Sequence, residues 1–390
     1  MSEERSLIFD VAMQVWHFVR RLIKLAIVAF VSIVVGFTLY AVLSFPDLKS
    51  WHTERLDEEF SALRDGNLDF DGYLKLEVRL FDAMHARIAT WDHSDEAYIY
   101  SRFNPDSNVS RLVEGAPFNR SFRLTVPEPV GRALLIHGLS DSPYSMHALA
   151  EALHARGFDV TVLRLPGHGT LPSVMTQMSV ADWNAAVRIA ARDVASRAPP
   201  GQPFYLGGYS TGGTLALQYT LDALADTSLR KPDRVLLVSP AIEVPEVAVV
   251  ANVLDMLSIF PLPVLQKVRW QDIGVEYDPY KFNSFAINAT RQVSRSTRTL
   301  QESLAKALES GRIDQMPPIV TWQSVVDATV GANGVADVLY ARLHGAAHRL
   351  VLFDVNRQGA VGSIQRPGAG ALIERLSNAP RAYTFDVVMN

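Results

Sequence analysis

The chain has 390 residues, 48% of them hydrophobic and 20% charged, with a net charge of −4. That is ample material for a packed core and leaves no basic excess to draw a nucleic acid. No cysteine is present, which excludes disulfides, a thiol nucleophile and cysteine-based metal sites.

In chain order, the first feature is the uncharged run LAIVAFVSIVVGFTLYAVLSF from Leu25 to Phe45. As a helix it would cover about 30 Å, the thickness of a bilayer core. Arg20, Arg21 and Lys24 precede it, and Asp47, Glu54, Asp57, Glu58 and Glu59 follow. The positive-inside rule then predicts a single-pass anchor, with residues 1–46 forming a cytoplasmic tail and transmembrane helix and the remainder on the non-cytoplasmic side. A cleaved signal peptide and a buried helix are the alternatives. The run is longer than a signal peptide's apolar stretch, and no Ala-x-Ala site follows it.

Residues 47–115 read as a helical preface or stalk without chemistry of its own. Apolar residues recur at three- and four-residue spacing in 51–63 and 73–88. Asp69 and Asp71 mark a helix break, and the glutamate spacing after them is wrong for a calcium loop. Residues 116–240 then alternate strands and helices, with strands predicted at 122–126, 132–136, 158–163, 204–209 and 234–239. Gly157 is placed as a C-cap, and Ser179 to Asp182 as a capping box opening a helix to about Ala198. Strands separated by helices of this length predict an α/β fold with a mostly parallel sheet, covered on both faces.

Residues 241–315 show no convincing strand. They hold Pro-interrupted apolar segments (247–265) and a helical run from Arg298 to Leu308, which together predict a lid over the carboxyl edge of the sheet. Residues 316–390 return to the core, with strands at 318–322 and 349–353, a helix from Gly334 to Leu343, and strand-like alternation from Arg381 to Asn390. A strand left open at the end of a domain is unusual. It sets the expectation that the complete enzyme continues past Asn390.

The chemistry centres on Gly208-Tyr209-Ser210-Thr211-Gly212. This Gly-x-Ser-x-Gly sits between a β-prone run and a helix-compatible one, the setting of a nucleophile elbow. With it, the His137-Gly138 loop, the Pro166-Gly167-His168-Gly169 loop, the lid and the Val325-Val326-Asp327 loop occur in a fixed order. In that ordered set, over roughly residues 120–355, the chain resembles an α/β-hydrolase of the monoacylglycerol-lipase and carboxylesterase type.

The resemblance implies a serine hydrolase that cleaves lipid-like carboxylic esters through an acyl-serine. Ser210 would be the nucleophile. The backbone N–H groups of Leu139 and Thr211 would form the oxyanion hole, and Asp327 would be the acid that orients the base, with Glu243 as its rival. It also implies a histidine after the final strand, yet none occurs from Arg349 to Asn390. His344 and His348 precede that strand and are expected at the opposite edge of the sheet. His137 and His168 belong to loops with packing roles. The base is therefore expected beyond Asn390. The alternatives are a catalytically silent, membrane-tethered binding relative and an acyltransferase. No metal or cofactor is implied; the expected partners are an ester or lipid substrate and, through the N-terminal helix, a membrane.

Overall fold

The computed structural model describes residues 2–113, 118–243, 266–327, 329–345, 347–355, 369–378 and 380–389. Its centre is an eight-stranded sheet in the order β1-β3-β2-β4-β5-β8-β9-β10. The strands are β1 Phe122–Leu124, β2 Gly131–Ile136, β3 Phe158–Leu163, β4 Phe204–Tyr209, β5 Arg234–Val238, β8 Ile319–Ser324, β9 Arg349–Asp354 and β10 Thr384–Met389. Only β1 runs antiparallel to its neighbour. Continuous apolar runs such as Ala133 to Ile136 are buried on both faces, because helices flank a parallel sheet on each side. Register places the site: Gly208 lies opposite Ile136 and Leu237, and Val238 opposite Trp322. The turns after β2, β4, β5 and β8 therefore open on one edge.

Several local features follow from side-chain chemistry. Asp69 N-caps the helix Phe70–Ile88 by accepting from Gly72 N at 2.7 Å. Ser179 and Asp182 form the capping box of Val180–Ser196. Asp182 also accepts from Ala62 N at 2.7 Å, tying residues 47–113 to that helix. β1 stops at Leu124, short of Val126, because Val126 N donates instead to the Asp159 carboxylate at 2.9 Å and Pro127 follows. Gly334–Leu339 forms a wide π-turned segment followed by a 3₁₀ turn, Tyr340–Arg342, in place of a regular helix.

Between β5 and β8 the chain carries a short antiparallel hairpin, β6 Trp270–Asp272 against β7 Phe285–Ala286, which the sequence reading lacked. Pairs this short leave too little alternation to detect. The helix after it runs Ile287–Glu309, longer than the Arg298-to-Leu308 expectation. Its N-terminal half is fixed by Asn288 Nδ2 donating to Met175 O and Met178 O at 2.8 and 2.9 Å. The apolar segment 247–265 lies outside the described residues.

The N-terminal helix Ser2–Ser44 requires a correction. Among the described residues no helix is long and apolar enough to cross a membrane. This overturns the predicted single-pass span and, with it, the placement of the hydrolase unit across a membrane from a cytoplasmic N-terminus. The physical reason lies at both ends of the apolar run. His17, Arg20, Arg21 and Lys24 belong to the same continuous helix. At the far end Phe37 and Phe45 pack on Val268, while Lys267 Nζ bonds Phe45 O at 3.3 Å and pairs with Asp47 at 2.8 Å.

Candidate active site

β4 ends at Tyr209, and the helix Thr211–Ala225 begins at once. Only Ser210 lies between them, at φ 51° and ψ −118°. The bend is held from both sides. Ser210 N donates to Val238 O at 3.0 Å, and Ser210 O accepts from Ala241 N at 3.0 Å and Gly213 N at 2.9 Å. The flanking glycines are required sterically. A Cβ on Gly208 would stand 2.2 Å from the Gly212 carbonyl carbon, and one on Gly212 would stand 2.2 Å from Ile136 O.

Ser210 lines a cavity of about 530 Å³, together with Leu139, Thr211 and Asp327. Four residues separated by up to 188 positions are thus brought to one space, at the edge where the strand turns open. The cavity wall is apolar at Leu139, Ala241, Phe282, Phe285, Val293 and Val330, and polar at Asp141, Gln271, Asp272, Lys281 and Asn283. Among the described residues the non-glycine positions with positive φ are Ser140 at 59°, Ser210 at 51° and Ser239 at 41°, and all three line it. Each such conformation costs about 1–3 kcal/mol. Among the described residues, the strained non-glycine positions thus gather at this one cavity.

Among the described residues, neither the Leu139 nor the Thr211 N–H is spent on a hydrogen bond. Thr211 is the first residue of its helix, where the N–H has no intrahelical partner and the dipole favours negative charge. Asp327 is held by its own loop, with Oδ1 accepting from Thr329 N and Val330 N, each at 2.9 Å. Among the described residues its Oδ2 meets only the long contact from Gln323 Nε2, at 3.4 Å. One carboxylate oxygen is anchored and the other is turned to receive a donor, the arrangement an imidazole-orienting acid needs. Glu243 is exposed and sits against Gly334, away from the cavity lining.

No histidine lines the cavity. His137 is locked in the core: Leu165 N donates to its Nε2 at 2.9 Å, so Nδ1–H donates to Gly138 O at 2.7 Å. Burial holds its pKa well below the usual value. His168 is likewise fully buried, with Nδ1 bonded to Pro166 O at 3.0 Å, and burial lowers its pKa to about 4. His348 Nδ1 accepts from Ile319 N at 3.2 Å at the start of β8, and His344 pairs with Asp314 at 2.7 Å; both lie at the amino edge of the sheet. Among the described residues no group of three or more His, Asp or Glu is placed to hold a metal ion.

Sequence reasoning missed Asp141, Ser140 and Ser239 as cavity residues. Asp141 follows the His137-Gly138-Leu139 loop by two positions, so the motif pointed near it. Nothing in the residue order shows which way its carboxyl turns.

A strand–serine–helix elbow on a parallel sheet, facing a loop acid and two unspent N–H groups, defines the α/β-hydrolase class. The family model Hydrolase_4 (serine aminopeptidase, S33) matches residues 127–338, and the chain belongs to that family. The thermostable monoacylglycerol lipase of Bacillus sp. (strain H-257) is 40% identical over 89 residues, 23% of this chain. The match spans about a third (34%) of that relative's length. Among solved structures, the monoacylglycerol lipase of Paleococcus ferrophilus has 18% identity and a TM-score of 0.44, covering 60% of this chain and 87% of its own. A soluble variant of monoglyceride lipase from Saccharomyces cerevisiae has 16% identity and a TM-score of 0.44, covering 60% and 81%. These two likenesses concern the outline of the fold and not the substrate.

Proposed function

We propose that the Ser210 cavity is built to hydrolyse carboxylic esters of lipid-like acids through an acyl-serine. Ser210 Oγ attacks the carbonyl, and the N–H groups of Leu139 and Thr211 hold the oxyanion, each worth about 10²–10³ in rate. Asp327 Oδ2 orients an imidazole and balances its charge. The imidazole takes the Oγ proton and passes it to the departing alcohol as the ester C–O bond breaks, and water then releases the acid from the acyl-serine. The observation that carries this reading is the meeting of a strained Ser210, two uncommitted N–H groups and a half-committed Asp327 in one partly apolar cavity. The apolar wall suits an acyl chain, and the monoacylglycerol lipase relative supports the same substrate class.

The base is the missing part. All ten histidines lie off the cavity lining, so none of them stands where Asp327 would orient it. Loss of a triad base costs on the order of 10⁶ in turnover, and the chain alone is expected to be nearly silent. A formed cavity without a base also favours a second reading, a binding relative that performs no chemistry. Hydrolysis of p-nitrophenyl butyrate separates the two. Added imidazole should raise the rate with the wild-type chain above that with Ser210→Ala. Equal rates with Ser210→Ala in every condition would leave the binding reading standing and defeat the esterase.

A further inference from the structure

Of the two cavity carboxylates that the proposed chemistry does not use, Asp141 and Asp272, only Asp141 is buried; Asp272 is exposed. Asp141 is only 9% exposed, and among the described residues no N–H or O–H of the protein donates a hydrogen bond to it. Its Oδ2 lies 2.9 Å from where a Cβ on Gly138 would stand, and the Tyr209 ring approaches that point to the same distance. Phe282 N donates to Ser140 O at 2.8 Å, which fixes the loop immediately before Asp141 against the lid. The charged and titratable groups facing the carboxyl are Lys281, whose Nζ stays 3.9 Å away and half exposed, and then Asp278 and Tyr209. Buried carboxylates nearly always accept hydrogen bonds, because leaving one dry and unbonded is costly.

We propose that Asp141 is a specificity-determining residue that accepts a hydrogen bond from a hydroxyl on the alcohol part of the ester, two residues from the Leu139 oxyanion donor. This rests on the Ser210 cavity being the ester site, and it selects hydroxylated alcohols over fully capped ones. Burial raises the pKa of the carboxyl to about 6, so the selection weakens on acidification. Above that value a charged acceptor holds the hydroxyl, whereas below it the carboxylic acid binds more weakly.

Two non-hydrolysable probes test this in the absence of any turnover: 1-O-octylglycerol and its 2,3-di-O-methyl ether, titrated calorimetrically into the whole chain at pH 8 and pH 5. The wild type should bind the free diol roughly tenfold tighter than the capped ether at pH 8, with the preference shrinking at pH 5. Asp141→Ala should erase the preference. Asp141→Asn should leave a smaller one that no longer depends on pH, an effect that a purely structural role would not produce. Both probes binding equally to the wild type, or the preference surviving in Asp141→Ala, would overturn the role of Asp141 and leave the ester site intact. Binding of neither probe would overturn the ester site and this inference with it.

Discussion

Arg164 provides a sharp test of how residues 47–113 are joined to the hydrolase core. Its side chain is wholly buried at the end of β3. Nε donates to Glu77 at 2.8 Å, Nη2 to Glu59 at 3.0 Å and Nη1 to His168 O at 2.9 Å. Glu77 is further bonded by Ser121 Oγ at 2.9 Å and Ser121 N at 3.1 Å, and Tyr73 Oη donates to Arg164 O at 2.7 Å. Arg164→Met keeps most of the volume but strands two carboxylates. Breaking a buried pair from one side costs about 3–5 kcal/mol, since the remaining charge stays buried and unpaired. Glu77→Leu should cost a similar amount. The double variant should lose clearly less than the sum of the two, with a coupling of about 1–3 kcal/mol. Urea unfolding followed by tryptophan fluorescence measures all three, and limited proteolysis should show earlier cuts within 47–113. Single losses under about 1 kcal/mol, or strict additivity, would refute the idea that this ion cluster locks the preface to the sheet.

Three further outcomes follow from the same reasoning. Gly212→Ala should fail to give a stable protein or lose several kcal/mol, because its Cβ would stand 2.2 Å from Ile136 O in backbone that cannot yield; a wild-type melting temperature would contradict this. Burial lowers the pKa of His168 to about 4 and that of His52 to about 3, from the ordinary imidazole value of 6.5. Their neutral forms favour the folded state fully above pH 6.5, and that contribution is lost as pH falls toward the folded values. Each adds a slope of up to about 1.4 kcal/mol per pH unit, so melting temperature measured from pH 7 to pH 4 should fall, and less so in His168→Gln. Asp141 works in the opposite sense. Its pKa is raised from 3.8 to about 6, so the folded state holds the proton between those values and stability declines as pH rises through them. At pH 8 Asp141→Asn should therefore gain on the order of 1–3 kcal/mol, which equilibrium unfolding at pH 8 and pH 4 would check.

Much of the fold was legible because it rests on local chemistry. The apolar runs of β2 to β5 could only belong to a sheet covered on both faces, and the Ser179–Asp182 box announced its helix; Asp69, read as a helix break, is the N-cap of Phe70–Ile88. The elbow was legible for the same reason, since Gly208 and Gly212 leave no room for side chains. What escaped depended on long-range placement. The pairing of Trp270 with Ala286, the bend that puts Phe37 and Phe45 on Val268, and the inward turn of Asp141 are set by partners distant in the chain. The apolar run at 25–45 misled because the charges taken to flank it, Arg20, Arg21 and Lys24, belong to the same continuous helix.

The central claim is that Ser210 is the group in this chain poised for acyl transfer. Incubating the protein with a fluorophosphonate and imidazole, followed by intact and peptide mass spectrometry, addresses it directly. The prediction is a single adduct on Ser210 that forms faster with imidazole and is absent from Ser210→Ala. An adduct on another serine, or one that persists in Ser210→Ala, would contradict it.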